Sequence, residues 1–313
     1  MRHYSSNFSA YLALTVAMFL WGSSFIALKL AFMGFDPMTA IFGRMFCAAL
    51  VMLLFFPRFK KVHRQPGDLG LLLMMALFEP CLYFIFEGYA LTLTSASQAG
   101  MISAMMPLMV AVSAFFILGE KIRVKTLAGF IIAVAGGIWI SVFSHSSENA
   151  PNPALGNFLE FVAIACASGY TICAKYLSPR YHPLYLTAVQ SFMGAVFFFP
   201  LMLVSPAGIP QSFQLMPTLA VIYLGVVVTL VAYTCYNYGV SRIPVGQASA
   251  FINLVPVFTI LLGWMILGER FGLLQFFGVI LVFAGIIISQ LKDSHESPLT
   301  ASLQEITSRK ANT

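Results

Sequence analysis

Six ionisable side chains fall inside long apolar stretches of this sequence, where a charge is costly. A charged side chain at the centre of a lipid bilayer costs at least about 2.5–3.5 kcal/mol, so such a residue is a candidate for a functional role. The chemistry open to these residues is proton binding, ion pairing or recognition of a charged ligand. The six are Lys29, Arg44, Glu79, Glu87, Glu160 and Lys175.

Glu79 is the deepest of the six, because about ten or more residues separate it from either end of its apolar stretch. No basic residue is expected at its depth, so its carboxyl group should be neutral much of the time. Two roles are open. Glu79 is either a neutral acid hydrogen-bonded into the bundle, or a proton-coupling or amine-binding site. Tyr83 and Glu87 follow at helical spacing and share its face.

Arg44, Glu87 and Glu160 lie at matching depths, roughly 7 to 10 Å below the outer surface at about 1.5 Å per residue. This match permits Arg44 to pair with Glu87 or with Glu160, in a gating or a structural role. Lys29 and Lys175 lie near the ends of their stretches, from which a long side chain reaches the membrane surface.

Membrane helices must position these residues. The 313 residues are 59% hydrophobic and 9% charged, with a mean hydropathy of +0.88, and soluble domains do not reach such values. A bilayer core of about 30 Å needs about 20 apolar residues per helix, and the runs do not alternate in polarity as barrel strands do. We predict an all-α integral membrane protein with ten transmembrane helices, at 9–31, 37–57, 69–91, 96–118, 122–142, 155–177, 183–204, 215–240, 244–267 and 271–291.

The sequence also contains an internal duplication. Residues 98–120 return at 247–269, an offset of 149 that aligns Pro107 with Pro256 and Glu120 with Glu269. The same offset aligns Gly129 and Gly136 with Gly278 and Gly285. Five helices are an odd number, so the second copy should be inverted relative to the first. The predicted divisions are a cytoplasmic lead (1–8), a first repeat (9–143), a linker (144–154), a second repeat (155–291) and a disordered cytoplasmic tail (292–313).

Basic residues indicate the orientation of the chain. With the N-terminus inside, the outer loops hold only Arg270, and the other loop and terminal Lys and Arg residues are cytoplasmic, which fits the positive-inside rule. Basic residues in the cytoplasmic loops therefore explain the formal charge of +6, and the charge does not indicate a nucleic-acid-binding protein. We expect a multi-pass protein of a bacterial inner membrane, with both termini cytoplasmic, as a monomer or a weak dimer.

The two aligned prolines, Pro107 and Pro256, lie near the middle of the fourth and ninth helices. Each removes an intrahelical hydrogen bond, and in lipid the freed groups need a neighbour, water or a ligand. The prolines are either packing kinks or the border of a polar cavity, and their symmetry favours the cavity. Glu120 and Glu269 are predicted to be structural, each beside the positive end of the helix that follows it.

Polar side chains on several helices are candidates to line that cavity. Tyr233 and Asn237 share a face of the eighth helix, whereas Tyr236 and Tyr238 are expected in the interfacial aromatic belt. The other candidate substrate-binding residues are Trp21, Ser24, Glu79, Tyr83, Gln98, Ser103, Tyr170, Gln247 and Asn253.

The doubled pattern resembles a known family. Trp21-Gly22, Pro107 and Leu118-Gly119-Glu120, with a second copy at Pro256 and Leu267-Gly268-Glu269, are similar to the drug/metabolite transporter superfamily, specifically its EamA-type members. The resemblance covers about residues 9–291. It implies a ten-helix inner-membrane carrier, whose relatives export amino acids, their derivatives or other small metabolites, with some acting as importers.

The leading hypothesis is therefore a secondary transporter that exports small metabolites by alternating access through a central cavity. The sequence has no GxxxxGK[ST], HExxH or GxSxG segment and no cysteines at metal-ligand spacing, so no enzyme, cofactor or metal site is expected. The alternatives are an uptake carrier for a cofactor-like metabolite and a lipid-handling or non-transporting membrane subunit. The expected partners are a small-molecule substrate, the bilayer and, as the candidate coupling ion, protons.

Overall fold

A computed structural model describes residues 2–59, 62, 65, 67–118, 124–206, 209–243, 248 and 250–290. The predicted tail, Gln247 and Glu120 lie outside the described residues. Within these ranges the chain is helical and has no β-strand, apart from one isolated bridge between Ser147 and Ala150. The prediction of an all-α protein is confirmed.

In the described part of the chain, an apolar helical segment lies within or over each of the predicted spans. Among the described residues, six are long and apolar enough to cross a membrane, namely α1, α3, α5, α6, α7 and α8. The two bent parts of α4 together make a seventh, whereas α2, α9 and α10 are shorter apolar helices, so the number ten remains a prediction. The segments are α1 (Arg2–Phe32), α2 (Pro37–Leu53), α3 (Asp68–Leu93), α4 (Ala96–Ser103 and Met106–Leu118), α5 (Val124–Val142), α6 (Pro153–Leu177), α7 (Pro183–Val204), α8 (Leu215–Arg242), α9 (Phe251–Leu267) and α10 (Leu273–Gln290).

Proline at the first position starts three of the helices. Asp36 caps α2, since its carboxylate accepts a hydrogen bond from the Met38 backbone at 3.0 Å. His182 caps α7 through its Nδ1 atom, and Asn152 caps α6 through its Oδ1 atom. A polar cap followed by proline satisfies one free N–H group and removes another, so the helix start is fixed by sequence.

Four of the segments contain a departure from regular α-helix. α4 bends by 41° between Ser103 and Met106, directly before Pro107, as the sequence predicts. α9 starts with a 3₁₀ turn at Phe251–Asn253, three residues before Pro256. α3 and α8 contain π-helical stretches at Leu77–Leu82 and Tyr223–Ala232. Such irregular turns free backbone groups in the interior, where side chains can use them.

The duplicated glycines bring the last helices of the two halves into contact. A methyl group added at Gly129 would lie 2.3 Å from the Gly285 carbonyl oxygen, and one added at Gly136 would lie 2.9 Å from that of Gly278. Since Gly129 corresponds to Gly278 and Gly136 to Gly285, these two contacts are related by a two-fold axis. α5 and α10 run antiparallel, as inverted copies must.

The interior of the bundle follows the same symmetry. α1 packs against α8 and α9, and its counterpart α6 packs against α3 and α4. α2 and α7, which also correspond, pack against each other. We call the surface at which α1 begins the near side and the surface at which it ends the far side. The space between the halves lies midway between these sides.

Candidate functional site

A small internal cavity, which we call the central cavity, lies between the two halves. Its volume of about 40 Å³ has room for roughly three water molecules, so the state described has no space for a metabolite. Helices from both halves contribute to its walls. The lining side chains are Trp21, Ser24, Phe25, Arg44, Glu79, Tyr83, Phe84, Glu87, Ser103, Met106, Ile164, Ala167, Tyr233, Ile252 and Val255.

Glu79 lies at the break in α3. Its backbone is extended (φ −149°, ψ 116°) and Pro80, which follows, has no N–H group to continue the helix. The freed carbonyl of Glu79 accepts a hydrogen bond from Gln190 Nε2 of α7 at 3.0 Å. The Glu79 carboxyl group accepts one from the hydroxyl of Tyr233 on α8. Two helices of the second half therefore hold this residue of the first half, which is 4% exposed.

Arg44 is buried on α2 with part of its guanidinium group unused. Nε donates to the Thr229 hydroxyl at 2.9 Å, and the guanidinium carbon lies 4.2 Å from the centre of the Phe84 ring. Nη1 has no hydrogen-bond partner. Among the described residues, no ion pair within 4.0 Å joins Arg44 to Glu87 or Glu160. The predicted pairing is absent from this state, and Arg44 instead contacts the π-helical stretch of α8.

Glu87 and Glu160 form a pair of buried carboxyl groups. Glu87 lines the central cavity, and its Oε1 accepts a hydrogen bond from the Tyr83 hydroxyl at 2.7 Å. Its Oε2 and both carboxyl oxygens of Glu160 have no partner. A Cβ atom at Gly156, four residues before Glu160, would lie 2.9 Å from the carbonyl oxygen of Ala90, three residues after Glu87. The antiparallel helices α3 and α6 are therefore in close contact, and one turn further in they place the two carboxyl groups at the same level. The sequence placed each beside Arg44, but it gave no indication that they adjoin each other.

Four aromatic side chains form an aromatic cluster on the near side of the cavity, namely Trp21, Tyr170, Tyr233 and Tyr236. The rings of Trp21 and Tyr236 are 4.7 Å apart between centroids. Tyr236 is fully buried, so its predicted place in the interfacial belt is wrong. Tyr170 donates a hydrogen bond to Asn237 at 2.9 Å. Neither Tyr170 nor Asn237 reaches the cavity lining.

Polar contacts hold the bundle together beyond the cavity on both sides. On the far side, Gln98 Oε1 accepts hydrogen bonds from Asn157 at 3.0 Å and from Ser144 at 2.9 Å. Gln98 adjoins a separate, wider pocket of about 510 Å³ and is not part of the central cavity. On the near side, Asp68 pairs with Arg180. The contact of Gln98 with Asn157 and that of Asp68 with Arg180 connect opposite halves of the chain.

Of the eleven predicted substrate-binding residues, six line the central cavity. These are Trp21, Ser24, Glu79, Tyr83, Ser103 and Tyr233. Asn253 lies outside the lining, with its Oδ1 buried and unpaired, and Gln247 is outside the described residues. In the part of the chain that the structure describes, no three His, Cys, Asp or Glu side chains gather as metal ligands do.

Comparison with known proteins identifies the family. The model of the EamA-like transporter family matches twice, at residues 8–142 and at residues 154–291. The chain belongs to the EamA-like transporter family. The resemblance read from the duplicated motifs is confirmed, and this multi-pass membrane protein is a member of a family of transporters.

Individual relatives of this EamA-like transporter cover most of its length. The uncharacterized transporter YetK of Bacillus subtilis (strain 168) is 31% identical over 296 residues, which are 90% of this chain and 87% of YetK. A probable terminal-alkyne amino-acid exporter of Streptantibioticus cattleyicolor is 22% identical, covering 88% of this chain and 91% of the relative. A solved crystal structure has a TM-score of 0.66 at 20% identity, with 93% of this chain and 99% of that one aligned, and thus shares the fold.

The Trp21-Gly22 pair of this EamA-like transporter has a steric explanation. A Cβ atom at Gly22 would lie 2.7 Å from Phe258 Cβ and 3.1 Å from the Val255 carbonyl oxygen. Gly22 therefore allows α1 to approach α9, and the approach places Trp21 in the cavity wall. The starts of the two halves align at an offset of 146, so the second half has Ala167 in the position of Trp21, also in the lining. The cavity is consequently asymmetric although the helices around it are not.

Glu269 of the second LGE segment is structural, but it acts on a different helix from the one predicted. Its two carboxylate oxygens accept hydrogen bonds from the backbone of Ala96 at 2.9 Å and of Ser97 at 2.8 Å. It therefore stabilises the start of α4 and not that of α10. The carboxylate completes the N-terminal turn of α4, where free N–H groups and the positive dipole end favour a negative charge. Glu120 lies outside the described residues.

Sequence reasoning missed two residues of the site, Thr229 and Gln190. Thr229 accepts the hydrogen bond from Arg44, and Gln190 donates to the Glu79 carbonyl. Gln190 lies 146 residues after Arg44, an offset that aligns the starts of the two repeats. That alignment was the available signal. Arg44 and Gln190 occupy corresponding positions on α2 and α7, and each donates to the irregular stretch of a helix in the opposite half.

Proposed function

We propose that this protein is a secondary carrier that exports small zwitterionic metabolites, such as amino acids or their derivatives, by alternating access. It acts as a carrier and not as an enzyme. The observation that carries the proposal is the set of unused polar atoms at the central cavity between two inverted halves. These are the donors Arg44 Nη1 and Trp21 Nε1 and the acceptor Glu87 Oε2.

Unpaired buried polar atoms are unfavourable, at about 1–3 kcal/mol each, so they mark a place where a ligand can supply the missing partner. A carboxylate matches the two donors, and an ammonium group matches the acceptor. A molecule that carries both a carboxylate and an ammonium group therefore fits the polar atoms of the cavity better than a molecule that carries only one of them. The amino-acid exporter among the relatives supports the same class of substrate.

The cavity must open to admit such a molecule. Inverted repeats of this kind support two related states, because the contacts on one side can be exchanged for equivalent contacts on the other. The far-side contacts of Gln98 and the near-side pair of Asp68 with Arg180 are the candidates for that exchange. We assign both termini to the cytoplasmic face of a bacterial inner membrane, and Glu79 is the candidate proton-coupling residue.

Counterflow in proteoliposomes tests the proposal. Vesicles loaded with unlabelled amino acids, and separately with amines that lack a carboxylate, are diluted into the labelled compound. We expect transient uptake of a zwitterion. Arg44→Gln should reduce that uptake by about 10- to 100-fold, the equivalent of one charge-assisted hydrogen bond, while Glu148→Gln in the exposed linker should not. Absence of counterflow across the panel, or an unaffected Arg44→Gln variant, contradicts the proposal.

A further inference from the structure

The central region contains more acidic groups than basic ones. Glu79, Glu87 and Glu160 are all at least 96% buried, and Arg44 is the basic side chain beside them in the described structure. If all three carboxyl groups were ionised, the region would carry two uncompensated negative charges. Burying an unpaired charge costs several kcal/mol, so a buried carboxyl group without a counter-ion holds a proton instead.

Glu87 is the member of the carboxyl pair suited to carry a charge. It lines the central cavity and so contacts any water there, it accepts a hydrogen bond from Tyr83, and Arg44 lines the same cavity. Each of these contacts favours a carboxylate over a carboxylic acid.

Glu160 has the opposite surroundings. Its side chain is 0% exposed, neither of its oxygens has a hydrogen-bond partner, and it is not part of the cavity lining. The neighbouring negative charge of Glu87 disfavours a second one. A proton on Glu160 removes its charge and creates a donor on the helix that faces Glu87, whose Oε2 is free. A single proton then gives a hydrogen-bond partner to an unpaired oxygen of Glu160 and to the unpaired Oε2 of Glu87.

Among the described residues, the helices packed around the pair present no basic group at its level besides Arg44. α3 presents Tyr83 and Glu79, α2 presents Arg44, and α8 presents the Tyr233 hydroxyl, which is bonded to Glu79. α4 carries no titratable side chain among its described residues, and Lys125 is at the near-side end of α5, away from Glu160.

We propose that Glu160 binds a proton, shared with the Glu87 carboxylate, and that Glu87 is the route by which this proton enters and leaves the central cavity. For release, the O–H bond of Glu160 breaks, the proton passes to Glu87 Oε2 and then to water in the cavity, and Glu160 is left as a carboxylate. A substrate ammonium group arriving at Glu87 supplies the positive charge that the proton provided. This consequence rests on the proposed carrier function, whereas the proton site does not.

Infrared spectroscopy of the full chain in lipid bilayers at neutral pH tests the proton site without any transport measurement. The signal is the carbonyl stretch of protonated carboxyl groups, assigned by its shift on ¹³C-glutamate labelling. Glu160→Gln is expected to lose one protonated carboxyl group per chain. Glu87→Gln should keep that group, because Glu160 is then still buried and still without a counter-ion. Glu148→Gln in the linker is the matched control and should leave the signal unchanged.

If Glu160→Gln keeps the full carbonyl signal of protonated carboxyl groups, the proposal is overturned. Loss of that signal in Glu87→Gln, with Glu160 intact, also overturns it. Thermal unfolding supplies a second readout that does not need the spectrum. An amide resembles a neutral acid, so Glu160→Gln should unfold at the parent temperature if Glu160 is protonated, and a large change in either direction contradicts the assignment. If counterflow fails while the carboxyl signal behaves as expected, the carrier function is wrong and the proton site stands.

Discussion

The contact between α5 and α10 supports a quantitative prediction, because it depends on glycine. In the variant Gly129→Ala the new methyl carbon would lie 2.3 Å from the Gly285 carbonyl oxygen, whereas ordinary contacts begin at 3.4 Å. The obstructing atom is backbone and cannot rotate away, so the helices must separate by about 1 Å. A gap of that size forfeits a quarter to a half of each dispersion contact around it, and overpacking of this kind costs about 1–3 kcal/mol.

Gly70→Ala is the matched control for this prediction. Gly70 is also helical, but nothing lies within 4 Å of an added methyl group, so alanine should stabilise the helix by about 0.5–1 kcal/mol. The two substitutions are chemically identical and should shift stability in opposite directions, so that the variants differ by roughly 1.5–4 kcal/mol.

The assay is the midpoint of unfolding by heat or by denaturing detergent for the purified protein in a mild detergent. Gly285→Ala should match Gly129→Ala, because its methyl group would lie 2.4 Å from the Gly129 carbonyl oxygen. The double variant should cost less than the sum, since the first separation of the helices makes room for the second methyl group. If Gly129→Ala stabilised the protein as Gly70→Ala does, the close antiparallel contact of the two halves would be refuted.

Three further substitutions have defined outcomes. Tyr233→Phe removes the donor to the Glu79 carboxyl group and should lower the free energy of unfolding by about 1–3 kcal/mol, measured in the same unfolding assay; an unchanged midpoint contradicts that hydrogen bond. Glu79→Gln should leave membrane insertion intact and alter the pH dependence of transport, and an unaltered pH profile in proteoliposomes removes Glu79 from the coupling mechanism. Glu269→Gln should cost about 0.5–2 kcal/mol, because the capped backbone groups of Ala96 and Ser97 lose a charged acceptor; full stability would show that the cap is dispensable.

The positions of elements along the chain could be predicted well from the sequence, because local chemistry sets them. α7 begins at Pro183 and ends at Val204, as predicted, since proline and its cap mark the start. The bend before Pro107 follows from the missing N–H group. The depth of Glu79 in the bundle could be obtained by counting residues.

Contacts around the bundle could not be predicted in the same way. Counting residues gives depth, but a helix that is apolar on all sides does not reveal which face meets which neighbour. Tyr236 was therefore assigned to the belt although it packs on Trp21. Glu269 was assigned to the adjacent helix, because its contact with Ala96 joins residues 173 positions apart. The adjacency of Glu87 and Glu160 was missed for the same reason.

The central claim is that two inverted halves expose one cavity alternately to the two sides of the membrane. The most direct test is a single cysteine in place of Ser103, which lines the cavity, in a chain without the five native cysteines. Sealed vesicles of either orientation are treated with a membrane-impermeant maleimide, with Ala133→Cys at the buried α5–α10 contact as the unreactive control. We predict labelling of position 103 from both sides. Labelling from neither side, or from one side alone, would contradict alternating access.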